Sequence, residues 1–280
     1  MKGIKLIMMM TLVMTLSLMM NSCSCSGSSK NEENKAEKEI VDIDEPQEEE
    51  RQLSKEEILF EQGCDYEEQK KYQEALECYA KAIDANPDFA RAYFRVGFLY
   101  EEGLGVDQNF SDAFKCYYKA AELGFPNALF SVAYCYEYGK GVEKDETEAV
   151  RYMTKSAEMG YTLAQSRLGD YYYYGKGVKI DYDLAYKYYR KAANQGDEFG
   201  EFGLARCYFL GKGTKKNVRE AAKWFQLSAD QGHSSSKYFL GVMYHDGLGV
   251  VKDKEKAYKL LREAADDGYE DAEKYLREEF

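Results

Sequence analysis

Basic charge, histidine and proline are all scarce in this chain of 280 residues. Its 38 Lys and Arg are outnumbered by 50 Asp and Glu, a net charge of −12. A chain that relies on a basic stripe to neutralise phosphates is therefore not expected, and no nucleic acid is expected as a partner. Only two histidines, His233 and His245, are present, without neighbouring ligands at metal spacing, so no metal and no cofactor is expected. Three prolines, Pro46, Pro87 and Pro126, are too few for a loop-rich or Pro-rich disordered chain. What the sequence has in quantity is 26 Tyr and 14 Phe, the make-up of an aromatic-packed helical or interaction protein.

The N-terminus reads as an address. Lys2 and Lys5 precede an apolar run from Leu6 to Met20, and small residues follow at Ser22 and Ser24. The run is shorter than the ~20 residues of a spanning helix, which leaves an uncleaved anchor as the alternative to a cleaved signal. Cys23, directly after Ser22, resembles the lipobox cysteine of bacterial lipoproteins, with Cys25 a second candidate. That resemblance implies a leader over 1–22, a lipidated Cys23 and attachment to a membrane through lipid alone. Residues 24–54 then carry ten acidic and four basic side chains and almost no aromatics. Such a stretch cannot bury a core, so 23–54 is expected to be an acidic tether.

From Ala90 onward the chain repeats itself every 36 residues. Tyr100, Tyr136, Tyr172, Tyr208 and Tyr244 fall in one column, and three residues before each stands Gly97, Ala133, Gly169, Ala205 or Gly241. Ala113 and its four equivalents make another column, as do the glycine pairs that begin with Gly103 and Gly105 and the single glycines that begin with Gly124. Ala92, Val96, Leu99 and Tyr100 follow a helical period, and the first glycine of the pair can end that helix left-handed. Asn109, Asp145, Asp181, Asn217 and Asp253 then stand where a side-chain oxygen caps a second helix. Asp112, Glu148 and Glu220, three residues further on, predict capping boxes, and the tyrosine column is expected to fill the groove between the helices. The unit is a helix hairpin, present five times over 90–268. Residues 55–89 fit the plan at the 34-residue spacing of a tetratricopeptide repeat, with Ser54 and Glu57 as a capping box. Residues 269–280 read as a polar capping helix.

The alanine, glycine and tyrosine columns, with the loops GLGV at 103–106 and 247–250, GKGV at 139–142 and 175–178 and GKGT at 211–214, resemble the Sel-1-like repeats, relatives of the tetratricopeptide repeats. The resemblance implies an all-α, α/α superhelical solenoid that acts as an adaptor, its first helices lining a concave groove for a protein or peptide. Carried onto this sequence, the groove positions are Phe60, Arg91, Phe94, Arg95, Phe98, Phe130, Tyr134, Arg167, Tyr173, Phe199, Phe202, Arg206, Phe209, Tyr238 and His245. Aromatics and Arg are the residue types that supply binding hot spots, although aromatics at helical spacing also build cores. The Asn and Lys positions with which tetratricopeptide domains clamp a carboxylate are not evident.

Enzyme readings find little. Cysteine-rich relatives have been credited with β-lactamase or penicillin-binding activity, and Ser234 with Lys237 supplies one S-x-x-K match, but S-D-N and K-T-G are absent. Ser234–Ser236 are expected to cap a helix. The relatives' disulfide ladder is missing, since the corresponding second-helix places are alanines from Ala121 to Ala265. Cys64 with Cys78 is the one pairing to test. The GKG loops lack P-loop spacing and recur with the repeat, which marks them as scaffold. The chain is therefore expected to be a non-enzymatic adaptor, exported and lipid-anchored in a bacterial cell envelope. Its expected partner is another envelope or secreted protein or peptide. The alternatives are a cell-wall or β-lactam-directed hydrolase and a self-assembling structural subunit.

Overall fold

The computed structural model describes residues 52–280; the leader over 1–22, Cys23, Cys25 and almost all of the acidic stretch lie outside the described residues. Within them are thirteen helices and no strand. The first helices of the hairpins are α1 (Lys55–Glu68), α3 (Ala90–Glu102), α5 (Pro126–Tyr138), α7 (Thr162–Tyr174), α9 (Glu198–Leu210) and α11 (Ser234–Asp246). The second helices are α2 (Tyr72–Ala85), α4 (Phe110–Glu122), α6 (Glu146–Glu158), α8 (Tyr182–Ala193), α10 (Val218–Asp230) and α12 (Lys254–Asp266), and α13 (Glu270–Glu279) closes the array. Every helix packs on its neighbours in sequence, so the chain is an all-α solenoid of stacked hairpins.

The loops explain the glycine columns. Gly103, Gly139, Gly175, Gly211 and Gly247 cap the first helices in the left-handed region, at φ from 68° to 75°. The second glycine of each pair is needed for space as well, because a Cβ on Gly141 would fall on the carbonyl of Phe110, at the start of the preceding unit's second helix. After the loop, Asn109, Asp145, Asp181, Asn217 and Asp253 accept backbone N–H groups of the second helix as expected. The reciprocal half of the capping box forms only at Ser54 and Glu57. In the later units the cap residue donates its own N–H at 2.9 Å to the carbonyl of the column tyrosine, as Asn109 does to Tyr100. With that donor satisfied, Asp112, Glu148 and Glu220 turn to Lys115, Arg151 and Lys223 one helical turn on.

The column tyrosines do not fill the space beside the small residues. That space belongs to the second helix: Tyr79 lies against Gly63, Tyr117 against Gly97, and Tyr189 against Gly169. A Cβ on Gly97 would come within 2.8 Å of the Tyr117 ring. Where the first helix carries Ala133, Ala205 or Gly241, the facing second-helix residue is Met153, Phe225 or Leu261, all fully buried. Tyr136 and Tyr172 stay half-buried and stack on Tyr152 and Tyr188, at 5.8 and 5.9 Å between ring centroids. The cysteines form no disulfide among the described residues; Cys78 is buried, and Cys64 Sγ receives the Tyr79 hydroxyl at 3.6 Å.

Candidate functional site

The first helices present a common face, because each hairpin sets its first helix beside those of its neighbours. Near the end of α1, α3 and α5 this face carries a carboxylate with little access to solvent: Glu67, Glu101 and Glu137. Glu67 accepts the Tyr79 hydroxyl at 2.6 Å and both arms of Arg95 from the next unit. Glu101 accepts Tyr117 at 2.8 Å and Lys140, again from the next unit, at 3.0 Å. Glu137 accepts Tyr171 and Lys176 and, at 2.9 Å, Arg167. In α7 the role passes to Asp170, which takes the Tyr189 hydroxyl at 2.7 Å and has Arg206 at 3.8 Å. Burial alone would raise the Glu137 carboxyl, but the Arg167 charge and the bonds from Lys176 and Tyr171 outweigh it and hold it below the ordinary glutamate value. These acids are links between units. Sequence reasoning missed them, because a glutamate in a last helical turn reads as solvated; their signal is the spacing, 34 residues from Glu67 to Glu101 and 36 from Glu101 to Glu137.

The residues expected to line the groove divide in two. Phe60, Phe94, Phe98, Arg95, Tyr173 and His245 are buried, because a first helix is covered by its own second helix and by both flanking units. Phe60 packs on Tyr79 and Phe89, Phe94 on Tyr117 and Phe125, and His245 is bonded through Nδ1 to Asp246 and Tyr275. Arg167 and Arg206 are half-buried; Arg206 lies 3.8 Å above the Tyr173 ring and donates to Tyr174 and Tyr189. Phe130, Tyr134, Phe202, Phe209 and Tyr238 are half-buried against Tyr161, Tyr138, Phe225, Phe239 and Tyr269. Arg91, over Phe60 and beside Glu61, keeps much of its side chain in solvent, and Phe199 is exposed against His233. Three open apolar side chains of the first helices were not anticipated: Tyr138, Tyr174 and Leu210, the last residues of α5, α7 and α9, are 39, 61 and 49% exposed.

Comparison with known proteins agrees with this geometry. The Sel1 repeat family matches at residues 90–125, 126–161, 162–197, 199–233 and 234–269, well over half of the chain. This chain belongs to the Sel1 repeat family. A TPR repeat matches at 63–102. A Sel1 repeat protein from Oxalobacter formigenes is 36% identical, with TM-score 0.70 over 76% of this chain and 86% of its own. The protein c5321, a protective antigen of uropathogenic Escherichia coli with an SLR fold, is 31% identical, with TM-score 0.71 over 78% of this chain. The present chain spans 47% of the length of that protein. No curated protein matches significantly. Sel1 and TPR repeat scaffolds generally mediate protein–protein interactions.

In this Sel1 repeat protein the hydrolase motif is tied up. Lys237 Nζ is held by Asp267 at 2.8 Å, and Ser234 Oγ donates to the same carboxylate at 3.2 Å, so both members of the S-x-x-K match are engaged by one acid rather than with each other. The serines do not cap α11 either: His233 does, its Nδ1 accepting the Ser236 N–H at 3.2 Å. Among the described residues no group of His, Cys, Asp and Glu is arranged to hold a metal, and no helix is long and apolar enough to cross a membrane.

Proposed function

We propose that this Sel1 repeat protein is a non-enzymatic adaptor, lipid-anchored through Cys23 in a bacterial cell envelope, that binds another envelope or secreted protein or peptide along its first-helix face. The observation that carries the binding reading is the exposed row Tyr138, Tyr174 and Leu210, which stays open while Tyr152, Tyr189 and Phe225 on the second helices of the same units are buried. Exposed apolar side chains recurring at the repeat period are of the kind that anchors partners. The envelope reading rests on Lys2, Lys5, the apolar run to Met20 and Cys23, and is in keeping with the E. coli relative's description as a protective antigen.

The test is quantitative capture from detergent-solubilised envelopes with the native chain and with Tyr138→Ala, Tyr174→Ala, Leu210→Ala, shown by circular dichroism to remain helical. Phe94 and Phe98 are unsuitable probes, since truncating buried rings opens cavities. A partner recovered by the native chain and lost by the variant is the expected result; equal recovery refutes the face. Anchoring is checked separately: Cys23→Ser is expected to abolish labelling with radioactive palmitate and to move the protein from the membrane to the soluble fraction.

A further inference from the structure

The negative charge of the chain is unevenly spread. Between residues 175 and 225 it carries eleven Lys and Arg against six Asp and Glu, in a protein whose overall charge is −12. Much of the surplus sits on two loops between first and second helices: Lys176 and Lys179 follow α7, and Lys212, Lys215 and Lys216 follow α9. Among the described residues no carboxylate lies within ion-pair distance of Lys179, Lys212, Lys215 or Lys216, and Lys176 shares the single Glu137 carboxylate with Arg167. On the second helices Lys115, Arg151 and Lys223 each pair with an acid three residues earlier, while Lys187, Arg190, Lys191 and Arg219 have no carboxylate within ion-pair distance among the described residues. Four of these five loop cations are left without a counter-charge among the described residues.

The same loops border the exposed apolar row. Lys176 lies 5.4 Å from the Tyr138 ring centroid, and Lys212 lies 4.8 Å from Tyr173 and 4.4 Å from Tyr182. Arg167 and Arg206 hold the hydroxyls of Tyr138 and Tyr174, which fixes those rings without covering them. The result is a strip of cations alongside a line of apolar side chains.

We propose that this strip binds an acidic, extended segment of the partner protein, in which Glu or Asp side chains meet the loop lysines and interspersed apolar side chains meet Tyr138, Tyr174 and Leu210. The proposal rests on the adaptor reading and specifies the chemistry of what the adaptor takes. Charge complementarity of this kind sets the choice of partner and speeds encounter. It predicts affinity that falls as salt rises, since Lys179, Lys215 and Lys216 are exposed and surface charges are screened beyond about 10 Å at 0.1 M.

The experiment follows fluorescence anisotropy of a labelled peptide of alternating Glu and Leu flanked by Ser, titrated with the full chain in detergent micelles. The comparison peptide has Gln in place of every Glu. Expected are binding of the acidic peptide, at least about tenfold weaker binding of the Gln peptide, and loss of binding in Lys212→Glu, Lys215→Glu, Lys216→Glu. A control of equal charge, Lys115→Glu, Lys187→Glu, Lys223→Glu on the second helices, is expected to bind as the native chain does. Equal affinity for the two peptides, or equal loss in both variants, overturns the proposal. So does displacement by inorganic polyphosphate as effective as by unlabelled peptide, which would mark the strip as a general polyanion site. If Tyr138 and Tyr174 govern capture of an envelope protein while the acidic peptide never binds, the adaptor reading stands and this inference falls.

Discussion

The hairpins from α1 to α8 and those from α9 to α12 share one backbone plan but couple to their neighbours by different physics. In the first group, the carboxylates Glu67, Glu101, Glu137 and Asp170 each collect a tyrosine hydroxyl and a cation of the following unit. In the second, the places of Glu101 and Glu137 are taken by Phe209 and His245, and the units meet through rings. Phe225 stacks on Phe239 at 5.3 Å, and Phe202 lies against both. A solenoid needs only that each unit bury a face against the next, so a column can exchange a polar link for an apolar one without changing the fold. The two solutions differ in what breaks them. A half-removed polar link leaves a stranded charge, whereas a truncated ring leaves a hole.

Two truncations of similar expected cost separate these cases. Phe225→Ala removes a fully buried ring and is expected to lower stability by about 3–5 kcal/mol in denaturant unfolding. Glu67→Ala strands the Arg95 guanidinium, which has only 9% of its side chain exposed, and is expected to cost about 3–5 kcal/mol. Rescue distinguishes the two. Combining Glu67→Met with Arg95→Leu and Tyr79→Phe removes every polar partner at once and is expected to return stability to within about 1 kcal/mol of the native chain. If the triple variant is no better than Glu67→Ala, the link contributes through its shape and the contrast between the two groups of units collapses.

Acid is expected to weaken the ring-coupled units first, although the other group is the one held by charges. Burial, with the nearby Arg206 charge, lowers His233 from the usual 6.5 to about 4. Its Nδ1 must stay unprotonated to accept the Ser236 N–H and cap α11. The unfolded chain takes up this proton near pH 6.5 and the folded chain only near 4. Stability is therefore lost as pH falls through that window, by about 3 kcal/mol in all. Glu137, held below its ordinary value, contributes stability above the unfolded carboxylate range and loses it only at lower pH, as its folded form finally protonates. Hydrogen exchange at descending pH should show α11 amides losing protection before those of α5 and α7. His233→Asn keeps a cap acceptor and should flatten the loss between pH 6.5 and 4. Protection lost first in α5 and α7 would reverse the assignment.

How much of this was visible in the residues alone follows from what repetition can reveal. The hairpins, their glycine caps and the Asn and Asp caps were legible because each is a local requirement that recurs in every unit. The partner of each polar side chain was not. Arg95 and Arg167 read as groove cations because nothing in their own unit shows that Glu67 and Glu137, 28 and 30 residues away, consume them. Tyr100 and its equivalents read as filling the space beside the small column, which in fact holds Tyr117 and Tyr189, because strict repetition marks a fixed requirement without showing which one it is. The varied column is the buried one, since any large side chain can fill a cavity between helices, whereas the column tyrosines combine a half-buried ring with a backbone carbonyl that closes the loop.

The smallest effects make the finest test, because one column carries the same residue in both groups of units. Lys140 and Lys212 occupy equivalent loop places, 72 residues apart, and the chain itself uses leucine there at Leu104 and Leu248. Among the described residues Lys140 supplies the only cation on Glu101, whose side chain is 8% exposed and otherwise receives the Tyr117 hydroxyl. Lys140→Leu leaves that carboxylate with a hydroxyl alone. Because the lysine is itself one-quarter exposed, water relieves part of the penalty, and the expected loss is about 1–2 kcal/mol at neutral pH, below that of a fully buried pair. Lys212 faces only the rings of Tyr173 and Tyr182 and the Tyr182 hydroxyl, so Lys212→Leu should leave the unfolding midpoint where it is. Equal shifts in the two variants would mean that the loop lysines act through packing of their stems. A shift confined to Lys140→Leu assigns the coupling of the early units to charge.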